Sequence, residues 1–146
     1  MERFKIDLPE RFFFETELRV RISDINYGGH LGHDSLLTLM QEARIRFLEK
    51  YGFSELDVQG RGMLVRDAAV IYKKEVFHGQ VLKFEIGAAN LQNRCFDFIY
   101  RVTDLPSGIE AARGRIGIVF FDYDKKKCVC VPDSFKDIIK NFTGRV

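Results

Sequence analysis

The chain has 146 residues, of which 46% are hydrophobic and 30% charged, and its net charge is +2. That is the length of one ordinary domain, able to bury a core without disulfides or metals and too apolar to stay disordered. The near balance of charge argues against a dedicated nucleic-acid binder, which presents a strongly basic face, but it leaves room for a small phosphorylated ligand.

The aromatic load of 14 Phe and 5 Tyr, with no Trp, predicts broad sheets packed on something bulky. The cysteines are Cys95, Cys128 and Cys130, an odd set that no secretory signal precedes. Reduced thiols in the cytoplasm are therefore expected. The N-terminal stretch carries charges where a signal peptide needs an apolar run. No segment approaches the roughly 18 apolar residues of a membrane span, so no membrane association is expected.

The first element is a half-buried strand over 12–22, with Leu18, Val20 and Ile22 on one side and Glu17, Arg19 and Arg21 on the other. The next segment, SDINYGGHLGHD, holds three glycines and is too rich in turn residues for regular structure. A helix is predicted over 35–50, capped by Asp34 or Ser35. Leu36, Leu39, Met40, Ala43 and Phe47 recur at helical spacing, and Leu37 and Leu48 widen the apolar stripe. Gly52 is placed to end it.

Four strands then follow without an intervening helix, over 63–77, 81–90, 95–103 and 110–121. His78-Gly79-Gln80 and Leu105-Pro106-Ser107-Gly108 read as tight connections. Such connections predict antiparallel neighbours throughout. A short closing helix is expected over 132–142. A sheet of about five strands must cover its apolar face, and one long helix is available for it. The expected architecture is α+β, a single domain over 1–146 in which the sheet wraps that helix.

Only 24–44 looks chemically specialised. Asp24, Asn26, His30, His33 and Asp34 gather at or before a helix N-terminus, where backbone N–H groups lack intrahelical partners. Gly28, Gly29 and Gly32 let a ligand approach that backbone. Such a place suits a carbonyl oxygen that gains negative charge during attack. His30-x-x-His33 as a metal pair lacks further ligands nearby, so no metal is expected. A calcium loop begun at Asp24 fails at its last position, which is Ser35 rather than Glu. A phosphate loop fails because no Gly-Lys-Ser/Thr exists. A plain capping turn remains the bland reading.

The stretch RISDINYGGHLGHDSLLTLMQEARIRFLEKYG resembles the opening of the hotdog-fold thioesterases of the 4-hydroxybenzoyl-CoA thioesterase type. Their pattern runs Asp-x-Asp, two residues, Gly-His-Val, two Asn-like positions, then a helix with Glu-Ala-Arg. Here it reads Asp24-Ile25-Asn26, Tyr27-Gly28, Gly29-His30-Leu31, Gly32-His33 and Glu42-Ala43-Arg44. The resemblance implies a hotdog fold and hydrolysis of an acyl thioester of CoA or acyl carrier protein. It implies no cofactor, coenzyme A being part of the substrate. It implies a homodimer, often assembled further into tetramers, with two sites at the dimer interface near the helix N-terminus.

One position departs from the pattern. Many members use the second Asp as nucleophile or base, and Asn26 holds that place here. An amide can only hydrogen-bond and orient a carbonyl or a water. The remaining carboxylates nearby are Asp24, Asp34 and Glu42. Asp34, beside His33, is the candidate base, with a plain N-cap as its alternative. His30 orients the carbonyl or water, or bonds within a dimer interface. Glu42 is a second candidate base, or the ion-pair partner of Arg44 or Arg46.

Arg94 sits where related proteins place a cation for the pantetheine or phosphates. Lys73, Lys74, Arg113 and Arg115 are further candidates, or a solvated strand face. Tyr27 and Met63 line an acyl pocket or belong to the core. Lys125-Lys126-Lys127 reads as a basic turn, and Cys128 and Cys130 as small apolar residues. Two other functions share the expected fold. One is a hydroxyacyl dehydratase, against which the Gly-His-Leu and Glu-Ala-Arg runs argue. The other is a non-catalytic acyl-thioester-binding or dimerisation module, which Asn26 keeps open.

Overall fold

The structure is a computed structural model that describes residues 3–143. In chain order the elements are β1 (Phe14–Arg19), a 3-10 turn (Ile22–Asp24), α1 (His33–Lys50), β2 (Gly62–Tyr72), β3 (Val81–Ala89), β4 (Cys95–Asp104), β5 (Ile109–Asp122), β6 (Lys127–Val129) and α2 (Asp133–Thr143). The strands form one antiparallel sheet in the order β1-β3-β4-β5-β2. The short sixth strand, not expected from the sequence, pairs with β5 just past the start of β4, Phe120 facing Val129.

α1 packs on the inner face of this sheet as expected. Leu36, Leu39, Met40, Ala43, Phe47 and Leu48 are buried against Leu82, Phe84, Ile86, Phe98, Tyr100, Val102 and Ile116. The helix comes close because β5 offers glycine at the contact. A Cβ on Gly114 would stand 2.5 Å from Met40 Cε, so the methionine lies directly on the strand backbone. The phenylalanine load is spent at the far end of the helix. There Phe135 of α2 meets Phe47, Phe53, Phe96, Phe98 and Phe120 at ring separations between 5.4 and 6.4 Å.

Three expectations are corrected. Ile22, expected on one side of the first strand with Leu18 and Val20, is exposed, because the strand ends at Arg19 and the chain turns through Ile22–Asp24. The helix starts at His33 rather than Ser35. Gly32 is its N-cap, and the first helical bond runs from the Leu36 N–H to the Gly32 carbonyl, 2.9 Å. Neither Asp34 nor Ser35 is therefore the cap.

The third correction concerns β2 and β3, which were expected to form a hairpin but are not neighbours. β2 pairs with β5 at one edge of the sheet, while β3 lies between β1 and β4. The predicted strand over 63–77 ends at Tyr72, and residues 73–80 cross from the β2 edge to β3, next to the other edge. Charge explains the early end. Lys73-Lys74-Glu75 cannot alternate inside and outside, and each finds its own polar partner instead. Along the crossing, Val76 accepts a hydrogen bond from the Leu31 N–H at 2.7 Å, and Val20 accepts one from the Gly79 N–H at 2.9 Å. The crossing is thus stitched to the specialised loop. Among the described residues, no helix is long and apolar enough to cross a membrane.

Candidate active site

The loop ahead of α1 is folded by its own polar groups. Asn26 Oδ1 accepts the N–H groups of Gly28 at 3.0 Å and His30 at 3.3 Å. The Asn26 N–H donates to the His30 carbonyl at 2.9 Å, and the Gly29 N–H to the Asn26 carbonyl at 3.1 Å. This tight turn needs a positive φ, which Gly29 supplies at +89°. Two backbone donors on Oδ1 fix the orientation of the amide. Its Nδ2 group is left with no acceptor among the described residues.

A cavity of about 360 Å³ opens beside this turn. Asn26, His30, His33, Tyr72, Lys73, Lys74 and Glu75 supply its polar groups. Its apolar wall is Leu31, Leu36, Val76, Leu82, Val102, Ala111 and Ala112. The site therefore joins three parts: the loop, the start of α1, and the crossing between β2 and β3. The N–H groups of His33, Asp34 and Ser35 precede the first helical bond and bring the positive end of α1 to the same place.

His30 and Glu75 meet across the cavity, Nε2 to Oε2, at 3.3 Å. Phe77 stands edge-on to the imidazole, centroids 6.3 Å apart. Lys74 is turned away to the buried carboxylate of Asp104 at 3.0 Å. Asp104 also accepts from Ser107 Oγ at 2.7 Å. The Ser107 hydroxyl and then the Lys74 ammonium hold the Asp104 carboxyl below its usual pKa, against the opposing pull of burial. The Tyr72 phenol, in a side chain only partly buried, is pushed up to about 12 by that partial burial first and by Asp34 second. Tyr72 is thus a neutral hydrogen-bonding group at neutral pH.

The other candidates are placed as follows. Asp24 is buried, and its carboxylate accepts from the Arg21 N–H at 2.8 Å and from the Arg21 guanidinium, so it braces the turn rather than lining the cavity. Asp34 lies in the first turn of α1, exposed. Its Oδ1 would be 2.7 Å from a Cβ on Gly32, a point that Asn26 Nδ2 also approaches to 3.7 Å, but Asp34 is not among the residues that line the cavity. Tyr27 is fully exposed at the tip of the turn, and Met63 is core; neither lines the cavity.

Glu42 faces a different groove and accepts from Arg46 at 2.9 Å, one of the ion pairs expected for it. Arg44 is buried and donates to Glu55 at 2.7 Å and to the Tyr100 hydroxyl at 3.1 Å. The Glu-Ala-Arg motif thus puts a structural tie inside the fold and a surface pair outside. Arg94 is exposed and outside the cavity lining, and Arg113 pairs with Glu110. Lys73 and Lys74 are the candidate cations that do line it. No group of three metal-ligating side chains occurs among the described residues.

Sequence reasoning missed Glu75, Tyr72 and most of the apolar wall. The run of three charges at 73–75 was the available signal, since it interrupts the alternation of a strand. The wall residues carried no signal, because a cavity-lining alanine reads like any core alanine.

Solved proteins of similar architecture include thioesterases. The chain superposes with a TM-score of 0.79 on the 1,4-dihydroxy-2-naphthoyl-CoA thioesterase of Synechocystis, covering 90% of this chain and 98% of that one at 17% identity. The DHNA-CoA thioesterase of Staphylococcus aureus gives a TM-score of 0.73 and 25% identity, covering 84% of this chain and 83% of that one. In sequence, the chain is 26% identical over 117 residues to the provisionally named esterase sll0410 of Synechocystis, covering 79% of this chain and 70% of the relative. The fold is therefore the hotdog expected from the sequence. The model of the thioesterase-like superfamily matches residues 20–139, and the chain belongs to that family.

Proposed function

We propose that the protein hydrolyses an acyl thioester of coenzyme A or acyl carrier protein to the free acid and thiol. The observation that carries this reading is the cavity, apolar within and polar where Asn26 and the start of α1 meet it. An acyl chain lies along Leu36, Val76, Leu82, Val102, Ala111 and Ala112. The thioester carbonyl then sits near Asn26 Nδ2 and the first N–H groups of α1. Donors placed ahead of the reaction stabilise the oxyanion as it forms. A thiol leaving group of pKa roughly 8.5 departs without strong acid help. What the reaction still needs is a group to take a proton from water, and Asp34 and His30 are the two candidates that flank Asn26.

The apolar wall bears on the acyl group. It offers no hydrogen-bonding side chain deep inside, so it favours an unsubstituted chain and cannot select strongly for a hydroxyl. Its volume of about 360 Å³ lies near the low end of small-molecule sites, roughly 300–1,000 Å³, which suits short to medium chains. Lys73, at the cavity and 3.9 Å from Glu110, is the cation offered to the phosphates of CoA.

A second copy of the chain is expected on β2. This is an 11-residue edge strand with Val65 and Tyr72 exposed, a row of unpaired backbone groups that natural proteins rarely leave open. Pairing there would bring the partner beside Tyr72 and the cavity, and pairs of such dimers would make the tetramer. Three free thiols suit a reducing cytoplasm.

The test is free-thiol release from a panel of short, medium, long and aromatic acyl-CoAs and acyl carrier proteins. The expected result is turnover, strongest on aliphatic chains. The Asp34→Asn variant assigns the base: a loss of about 100-fold or more marks Asp34, and near-normal turnover marks His30. Binding of CoA thioesters without release on any panel member would replace hydrolysis by the non-catalytic binding reading.

A further inference from the structure

We infer that Glu75 is a positioning residue for the hydrolysis, holding His30 in the form that takes the proton from water. The inference rests on the thioesterase reading above and names a carboxylate beside His30 where Asn26 itself cannot act as a base.

The geometry carries it. The His30 Nε2 and Glu75 Oε2 atoms are 3.3 Å apart, and both residues line the cavity with Asn26. The contact is an ion-pair separation rather than an aligned hydrogen bond, and a carboxylate there, which can only accept, favours the tautomer with the ring proton on Nε2 and the lone pair on Nδ1. Glu75 is reserved for this contact. Its neighbours Lys73 and Lys74 pair elsewhere, with Glu110 at 3.9 Å and Asp104 at 3.0 Å, so no ammonium neutralises it. The Val76 carbonyl is bonded to the Leu31 N–H at 2.7 Å, and this fixes the register of the crossing against the residue after His30. Phe77 closes the imidazole from a second side. Stability is a poor reason for the pair, since Glu75 is 66% exposed and exposed pairs contribute little.

The step balances without any further reagent. Nδ1 of neutral His30 takes a proton from water as the water oxygen bonds to the thioester carbon. The π electrons of the carbonyl move onto its oxygen, facing Asn26 Nδ2. The tetrahedral oxyanion collapses, the C–S bond breaks with its pair on sulfur, and the imidazolium returns the proton to the thiolate. Glu75 keeps its charge throughout and offsets the imidazolium while it lasts, the logic of a base oriented by a third group.

A double-mutant cycle on the full chain tests this, using the best thioester of the panel. Glu75→Ala is expected to lower kcat by about 10- to 100-fold, with little change in KM or in the thermal midpoint. Glu75→Asp is expected to recover part of the loss. In the His30→Ala background, adding Glu75→Ala is expected to cost nothing more. Wild-type kcat in Glu75→Ala, or losses that multiply in the double variant, would overturn the inference while leaving the thioesterase reading intact. A wild-type chain that releases no thiol from any substrate overturns that reading first, and the role of Glu75 with it.

Discussion

The two ends of α1 are built from opposite materials. Around Phe47 the helix is sealed by aromatic rings from β4, β5 and α2, and by the buried tie from Arg44 to Glu55 and Tyr100. At His33 the helix opens on a cavity whose polar groups are partly unpaired and whose walls come from the loop and the crossing. The sealed end holds the helix against the sheet. On the proposed reading, the open end relies on that support to hold Asn26, His30 and the first N–H groups in place. The spare donor of Asn26 is exposed to water, so leaving it unpaired within the chain costs the fold little.

Substitutions at the two ends should separate these roles. At the sealed end, Phe47→Ala is expected to cost about 4 kcal/mol in chemical unfolding, because it removes a ring in contact with at least five others. A cost below about 1 kcal/mol would show that the aromatic cluster does not hold the helix.

The tie that secures the crossing gives a smaller, pH-dependent effect. The Asp104 carboxyl is held below its ordinary pKa in the fold. Its stabilising share is therefore complete above the unfolded value near 4, and is lost as pH falls through the lower folded value. Asp104→Asn is expected to lower stability by about 1 kcal/mol at about pH 7. The gap to wild type should narrow as pH falls below the unfolded value near 4, read by thermal unfolding of both proteins. A gap independent of pH would mean that the Lys74 contact contributes nothing through charge.

Much of the sealed end was legible in the sequence. Leu36, Leu39, Met40, Ala43 and Phe47 announced the buried stripe by spacing alone, and the alternation in β1 and the glycine at 52 marked ends and faces. The topology was less legible. A short polar stretch between two strands reads as a hairpin, and nothing local says that β1 already occupies the place beside β3.

The open end was half legible. Its loop advertised itself by Asn26, His30, His33 and the glycines, and all three side chains line the cavity. Glu75 lies 45 positions beyond His30. It reaches the site only because the crossing is bonded to Leu31, a long-range fact that no pattern of period two or 3.6 encodes. Asp24 misled for the converse reason. It stands at a motif position, yet its carboxylate is consumed by Arg21.

The central claim is that Asn26 acts as a donor toward the thioester carbonyl where many relatives of its motif carry a carboxylate. The most direct test is the kcat/KM of Asn26→Asp beside wild type on one acyl-CoA. Aspartate keeps the acceptor that the Gly28 and His30 N–H groups need, but replaces the free Nδ2 donor by a negative oxygen. A fall of about 100-fold or more is the predicted result. Unchanged or higher turnover in Asn26→Asp would contradict it, and would show that the site works with a carboxylate at position 26.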